Sequence, residues 1–268
     1  NYTFNPQTMP AGNYTYTVQG PPCPNDLATV NITFISPPFS GFASNQEICI
    51  NDYIGGNTFN LNTLLTNADA GGVWSFGGSV IPAQISPSTY GDGIFQFDYE
   101  VFGIAPCNDM TTTVSLTINP EPVVGNFTTN IPVVAQGFDV DVIVDMTVGS
   151  PPFTATVVDD EVPQNTYTIN VNPPNMSGLV NVIPNNIPIT TYSLTGIVDG
   201  KGCTTTSNLT TQVIVDPYPF IDPFSTSTPV ICEGDNASIS VILQLGEAPI
   251  VVDYSYNGNN YTYNLGSV

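Results

Sequence analysis

Histidine is missing from this 268-residue chain, and Lys201 is its only basic side chain, set against 22 acidic ones for a formal charge of −21. Each absence removes a class of function. Without His, neither a Ser-His-Asp nor a Cys-His relay can form, and the commonest zinc ligand is gone. With one base, phosphates cannot be neutralised, which excludes a nucleic-acid partner and direct attraction to an anionic membrane. No apolar run reaches the ~18 residues that mark a membrane-spanning helix, so no membrane insertion is expected. P-loop, GxGxxG and GxSxG motifs are lacking. Glu100 and Asp98 form an acid pair of the kind glycosidases use, but read more simply as a solvated strand face, so no catalytic residue is expected. The sequence opens at Asn1 rather than Met and carries no signal peptide, so targeting information is expected outside it or already removed.

What is present points to strands. Hydrophobic residues make up 41% of the chain and aromatics 10%, enough for packed cores, and 25 Pro and 23 Gly punctuate runs rich in Val, Ile, Thr and Tyr. One stretch, "FNLNTLLTNADAGG", has room for a short helical turn over Leu61, Leu64 and Leu65. The fold class expected is all-β.

The order of those strands repeats. "PVVAQGFDVDVIVDMTVGSPPFTATV" from Pro132 matches "PVICEGDNASISVILQLGEAPIVVDY" from Pro229 without gaps, at an offset of 97 residues. One apolar face alternates through Val140, Val142, Val144, Met146 and Val148 in the first copy, and through Ala237, Ile239, Val241, Leu243 and Leu245 in the second. A period of two with one apolar face is a half-buried antiparallel strand. Each strand ends on Gly-x-x-Pro, at Gly149 and Gly246. A second pattern recurs at 4–34, 85–118 and 183–215, where Pro184, Pro188 and Tyr192 match Pro6, Pro10 and Tyr14. Self-similarity of this length signals an array of like domains.

The chain parses into a C-terminal half domain (1–38), complete domains at 39–120 and 121–217, and an N-terminal half domain (218–268), joined by "ISPPFSG", "INPEPVVG" and "VDPYPFIDP". Such Pro-rich joints make semi-rigid spacers. On the repeat, Val268 falls on Val171 and Asn1 near Leu179. The two ends thus meet on the domain pattern, and 218–268 is expected to be completed by a 1–38 equivalent of the next copy.

The five cysteines follow the same parsing. Cys49 and Cys232 share the front-half position, each with Asp three residues on, and Cys23, Cys107 and Cys203 share the back-half position. No close Cys/His pairs of a zinc site are present, so disulfides and an extracytoplasmic compartment are expected. Cys49 is expected to bond Cys107, worth about 3–4 kcal/mol by chain entropy, and Cys23 to bond Cys232 across consecutive copies. Ala135 occupies the front-half position of 121–217, leaving Cys203 an unpaired thiol. The order Cys49, Trp74, Cys107 resembles immunoglobulin-type sandwiches, whose Trp packs on an inter-sheet disulfide.

Asp139, Asp141 and Asp145 share one strand face and are the candidates for bound Ca²⁺, the only cofactor considered, with a plain acidic face as the simpler reading; Asp159, Asp160 and Glu161 form a second cluster. Sequons occur at Asn1, Asn13, Asn31, Asn126, Asn175, Asn208, Asn236 and Asn260, as an Asn- and Thr-rich sequence also produces by chance.

The strings "ICEGDNASISV", "GEAPIVVDYSYNG", "DAGGVW" and "MPAGNYTYTVQGPPCPNDLATV" together resemble the tandem Ig-like/PKD-like repeats of giant surface proteins secreted by Bacteroidota, of the gliding-motility-associated adhesin type. The resemblance covers essentially the whole chain; the family's C-terminal secretion signal is absent from these residues, and Ala135 departs from the cysteine pattern. It implies tandem antiparallel β-sandwiches forming an extracellular, cell-surface stalk or filament in cell adhesion. Its partners would be neighbouring copies head to tail, with any glycan or surface ligand held at a tip outside these residues. Two other classes stand beside it. One is a pilin-like subunit completed by strand donation. The other is a carbohydrate-binding module with Tyr14, Tyr16, Tyr254, Tyr256, Tyr261 and Tyr263 as its platform.

Overall fold

The computed structural model describes residues 3–221, 225–226, 230–246 and 249–265; the Asn1 sequon, Pro229 and Val268 lie outside them. Among these residues every element is a strand or a short 3₁₀ turn. The architecture is all-β, a set of small, almost wholly antiparallel sheets arranged as tandem Ig-like sandwiches. The chain divides into two compact units, Asn1–Ile48 with Gly55–Ile118, and Cys49–Ile54 with Asn119–Val268. The segment Cys49–Ile54 therefore leaves the run 39–120 and groups with the second unit.

In the first unit a five-stranded sheet runs in the order Gln46–Cys49, Met110–Asn119, Gly93–Val101, Val73–Phe76, Ser79–Ile81. Period-two alternation buries Phe97, Tyr99 and Val101 from one strand and Val114, Leu116 and Ile118 from its neighbour. The short helical turn is real but is a 3₁₀ turn, Leu61–Leu64, with both of those leucines fully buried; Leu65 starts a strand instead. The Asn60 side chain accepts from Asn62 N–H and so caps the turn. Residues 12–32 form a separate hairpin, Gly12–Gly20 with Cys23–Ile32.

The second unit contains one closed sandwich. Its smaller sheet pairs Val123–Thr129, Val140–Val148 and Ser177–Val182. The larger runs Val133–Ala135, Thr210–Asp216, Ile189–Val198, Phe153–Asp159, Thr166–Val171, with Thr204–Thr206 added beside Ile189–Val198. One pairing in it is parallel, Val133–Ala135 on Thr210–Asp216. Val140, Val142, Val144 and Met146 are buried in a core with Phe153, Val157, Leu194 and Val213, whereas Val148 emerges to the surface at the strand end.

The 97-residue repeat holds in backbone detail. Val123↔Val148, Val124↔Met146, Thr128↔Ile143 and Thr129↔Val142 recur as Phe220↔Leu245, Ile221↔Leu243, Ser225↔Ser240 and Thr226↔Ile239. Gly149 and Gly246 both sit at φ 111°, and a Cβ there would strike Phe153 and Pro122 in one copy, Ile250 and Pro219 in the other. Only glycine meets both demands. The hairpin that follows departs from the offset. Phe153 pairs with Val171, but Ile250 pairs with Leu265, so the counterpart of Val171 is Leu265 and not Val268. The reason is the turn: Asn257 and Gly258, at φ 49° and 76°, close the second hairpin in two residues. Positive φ at both positions matches the twist of the flanking strands.

Candidate functional site

The described residues of 218–265 repeat the first strands of the closed sandwich. In the closed copy, Val140–Val148 is flanked by Ser177–Val182, and Phe153–Asp159 by Ile189–Val198. No counterpart of either partner lies beside Leu243–Leu245 or Ile250–Tyr256 among the described residues. The result is an apolar groove of about 480 Å³ lined by Ile239, Val241, Val252, Tyr254, Tyr263 and Leu265. By the repeat these correspond to Val142, Val144, Ala155, Val157, Ile169 and Val171, each 0% exposed. Their counterparts lie open, with Ile239 at 64% and Tyr254 at 51%. The groove is therefore lined by the counterparts of core positions of the closed sandwich.

The hairpin of residues 12–32 also carries an exposed apolar face. Tyr14, Tyr16 and Val18 share one face with Ala28 and Val30 across the ladder, and Tyr16 is 67% and Val30 57% exposed. Tyr14 is steadied from within: its ring meets Phe4 edge-on at 5.5 Å and its hydroxyl donates to Pro10 O at 2.6 Å. On the closed domain, Tyr14 and Tyr16 match Tyr192 and Leu194, both fully buried. The tyrosines singled out as a sugar platform are thus divided. Tyr254 stacks on Tyr261 across its own ladder at 5.2 Å, Tyr254 and Tyr263 line the groove, and Tyr14 and Tyr16 stand on the separate hairpin.

The cysteines correct the sequence reading. Cys49 is bonded to Cys203, with Cα atoms 5.4 Å apart, and Cys107 is free, so neither the Cys49–Cys107 bond nor the unpaired Cys203 is found. The excursion Cys49–Ile54 brings its sulfur into the second unit, where Cys203 is fully buried. Cys23 and Cys232 are exposed thiols in the single chain. Trp74 accordingly packs on Tyr99, ring centroids 5.0 Å apart, instead of on a disulfide, and donates to Asn62 Oδ1 at 2.8 Å. A cavity of about 590 Å³ opens beside this pair, but the Tyr99 hydroxyl is committed to Asp69 O and Gly72 N–H.

The acidic clusters are held by amides. Asn181 Nδ2 donates to both Asp139 and Asp141, and Asn130 Nδ2 to Asp141. Asp145 stands four residues along the strand, about 13 Å away at ~3.3 Å per residue, and accepts from Asn126. The three carboxylates do not converge, and no metal-holding group of three or more acids, Cys or His occurs among the described residues. Asp159 is buried and accepts from Asn165 N–H and Nδ2, Glu161 N–H and the Tyr167 hydroxyl. Burial pushes its carboxyl up, but those donors outweigh it and hold the group below its ordinary value. Asp160 is lowered in the same way, burial being outweighed by Thr191 N–H and the Asn186 amide. Burial and the Asp159 carboxylate push Tyr167 up to about 12. Asp98 accepts from the Thr113 hydroxyl at 2.6 Å. The sequon residues Asn13, Asn31, Asn126, Asn175, Asn208, Asn236 and Asn260 are all at the surface. Asn13 and Asn31 are hydrogen-bonded to each other.

No protein-family model matches the chain, and no curated protein matches it. Among solved structures, the I-band fragment I67–I69 from titin is 12% identical over 77% of this chain and 74% of its own, at a TM-score of 0.38. The ICAM-5 D1–D4 ectodomain fragment is 10% identical over 96% and 75%, at 0.35, and zebrafish RET cadherin-like domains 1 to 4 are 9% identical over 97% and 76%, at 0.30. Likeness at this level carries nothing about ligand or partner. The class rests on the sheets themselves, which form tandem Ig-like β-sandwiches.

Proposed function

We propose that this chain is a segment of an extracellular structural array, the stalk or filament of a bacterial cell-surface adhesin of the Bacteroidota gliding-motility type, built from Ig-like repeats at 39–120, 121–217 and 218–268 plus 1–38. The observation that carries this reading is the groove, whose six apolar lining residues correspond to fully buried core positions of the closed domain. Its occupant is the 12–32 hairpin of another copy. The closed domain supplies the register: Val157↔Leu194 and Asp159↔Tyr192 translate into Tyr254 opposite Tyr16 and Tyr256 opposite Tyr14. Burying side chains of this size is worth roughly 1.5–3 kcal/mol each, and the ladder also covers an open strand edge. The disulfide, a bond that persists in oxidising compartments, supports the extracellular setting.

Sedimentation of the 268-residue chain under reducing conditions tests the array. We expect concentration-dependent head-to-tail association, weakened at least tenfold by Val252→Asp, whose side chain faces the groove. A strictly monomeric chain, or association untouched by Val252→Asp, would overturn the reading.

A further inference from the structure

The bond Cys49–Cys203 does not join the two halves of one repeat. Cys49 is the front-half cysteine of 39–120, and Cys203 is the back-half cysteine of the repeat that follows. We infer that this front-to-next-back connection is the rule of the array, so that Cys232 bonds Cys107 of the following copy and Cys23 stays a free thiol. The inference rests on the head-to-tail reading above and names its covalent contact.

Three observations carry it. The first is the count. Front positions in chain order hold Cys49, Ala135 and Cys232, and the back positions that follow them by the rule hold Cys203, Cys23 and Cys107. Cys49–Cys203 is formed, Ala135 leaves Cys23 without a mate, and Cys232 and Cys107 are both free. The odd cysteine is thereby explained, whereas pairing within repeats would strand Cys203, which is bonded.

The second is local geometry. Cys49 leads into the 3₁₀ turn Ile50–Tyr53, and Cys232 into a turn closed by Asp235 N–H on Cys232 O at 3.0 Å. Cys107 and Cys203 each lie in the connection after a long inner strand, Gly93–Val101 and Ile189–Val198, beside a turn closed at 2.9 and 3.0 Å.

The third is what Cys107 faces. Its Sγ lies 3.6 Å from the carbonyl of Ile35, in the joint that leads into its own domain. In the second unit the strand beside Cys203 meets the corresponding joint, Thr205 Oγ1 donating to Glu121. The Cys107 thiol therefore sits where a preceding repeat enters, as Cys203 does. In forming the bond, the two thiols give up two protons and two electrons to a disulfide donor, such as an oxidised low-molecular-weight thiol, which leaves as two thiols.

The test uses the 268-residue chain incubated with oxidised glutathione, followed by non-reducing electrophoresis and peptide mapping. We expect a covalent ladder, a Cys107–Cys232 linked peptide and full maleimide labelling of Cys23. Cys107→Ser should abolish the ladder and Cys23→Ser leave it intact. A Cys23–Cys232 peptide, a ladder lost with Cys23→Ser, or association under reducing conditions without any ladder under oxidising ones overturns the pairing while leaving the array standing. Absence of association under reducing conditions overturns the array and the pairing with it.

Discussion

Asp199 shows how one buried carboxylate can organise a loop. It is 5% exposed, and its oxygens accept from the backbone N–H groups of Ser150, Lys201 and Cys203. The loop so fastened carries both the chain's only trypsin site, after Lys201, and the disulfide at Cys203. We expect the folded chain to resist trypsin. Asp199→Ala should cost about 1–3 kcal/mol, because three backbone donors, that of Cys203 buried, lose their acceptor, and should speed cleavage after Lys201 at least tenfold. Timed digestion of both proteins checks this, and equal cleavage rates would remove Asp199 from that role. Asp199 stands out in the sequence only as part of a "VDGKGC" turn; nothing there marks it as buried, because one of its three donors, Ser150 N–H, lies some fifty residues away.

At the level of elements, the turn after Phe153–Asp159 and the turn after Ile250–Tyr256 solve one problem in two ways. The second uses Asn257-Gly258 and positive φ. The first is three residues longer and is held by Asp159, Asp160 and Glu161, with Glu161 accepting from Asn185 N–H and Nδ2. Asp159 and Asp160 titrate below the ordinary 3.8 in the folded chain. Their contribution is therefore fully present above the unfolded value and is lost as pH falls through the folded ones. Tyr167 works in the opposite range: its folded value of about 12 lies above the ordinary 10.0, so its contribution is present below pH 10 and lost as pH rises towards 12. Thermal unfolding followed from pH 2.5 to 7 should show stability falling below about pH 4, with a shallower fall in Asp159→Asn. An unchanged slope in that variant would mean that the acid sensitivity lies elsewhere. The cluster was legible as acids, and the Ca²⁺ reading of Asp139, Asp141 and Asp145 failed because a shared strand face does not make a shared point. Carboxylates four residues apart on a strand are too distant to hold one ion.

For the whole molecule, the same strand pattern exists closed and open in one chain, a comparison with its own internal control. Val140–Val148 has a partner on each side, whereas the equivalent stretch is reduced to Ile239–Ser240 and Leu243–Leu245. Amides of Val142 and Val144 should exchange with solvent at least a hundredfold more slowly than those of Ile239 and Val241 in the dilute chain. The difference should shrink when the chain is concentrated enough to associate. Hydrogen exchange at two concentrations reads this directly, and protection of Ile239 and Val241 at the lowest concentration would show that the groove is already filled. Protection tracks local opening, which is cheap where few apolar contacts are lost.

The sequence by itself determined the β class, the 97-residue repeat, the inward faces and the glycines at 149 and 246. All of these are local or periodic consequences of side-chain alternation and backbone sterics, and alternation is written residue by residue. Two things were decided only in three dimensions. The length of a hairpin turn moved the counterpart of Val171 from Val268 to Leu265, because register depends on how few residues can reverse the chain. The partner of Cys49 was decided by which sulfur came within bonding reach. A disulfide requires Cα atoms roughly 4.4–6.8 Å apart, and Cys49 and Cys203 meet that condition at 5.4 Å within the second unit. Sequence spacing ranks pairs along the chain, whereas bond formation responds only to distance in space.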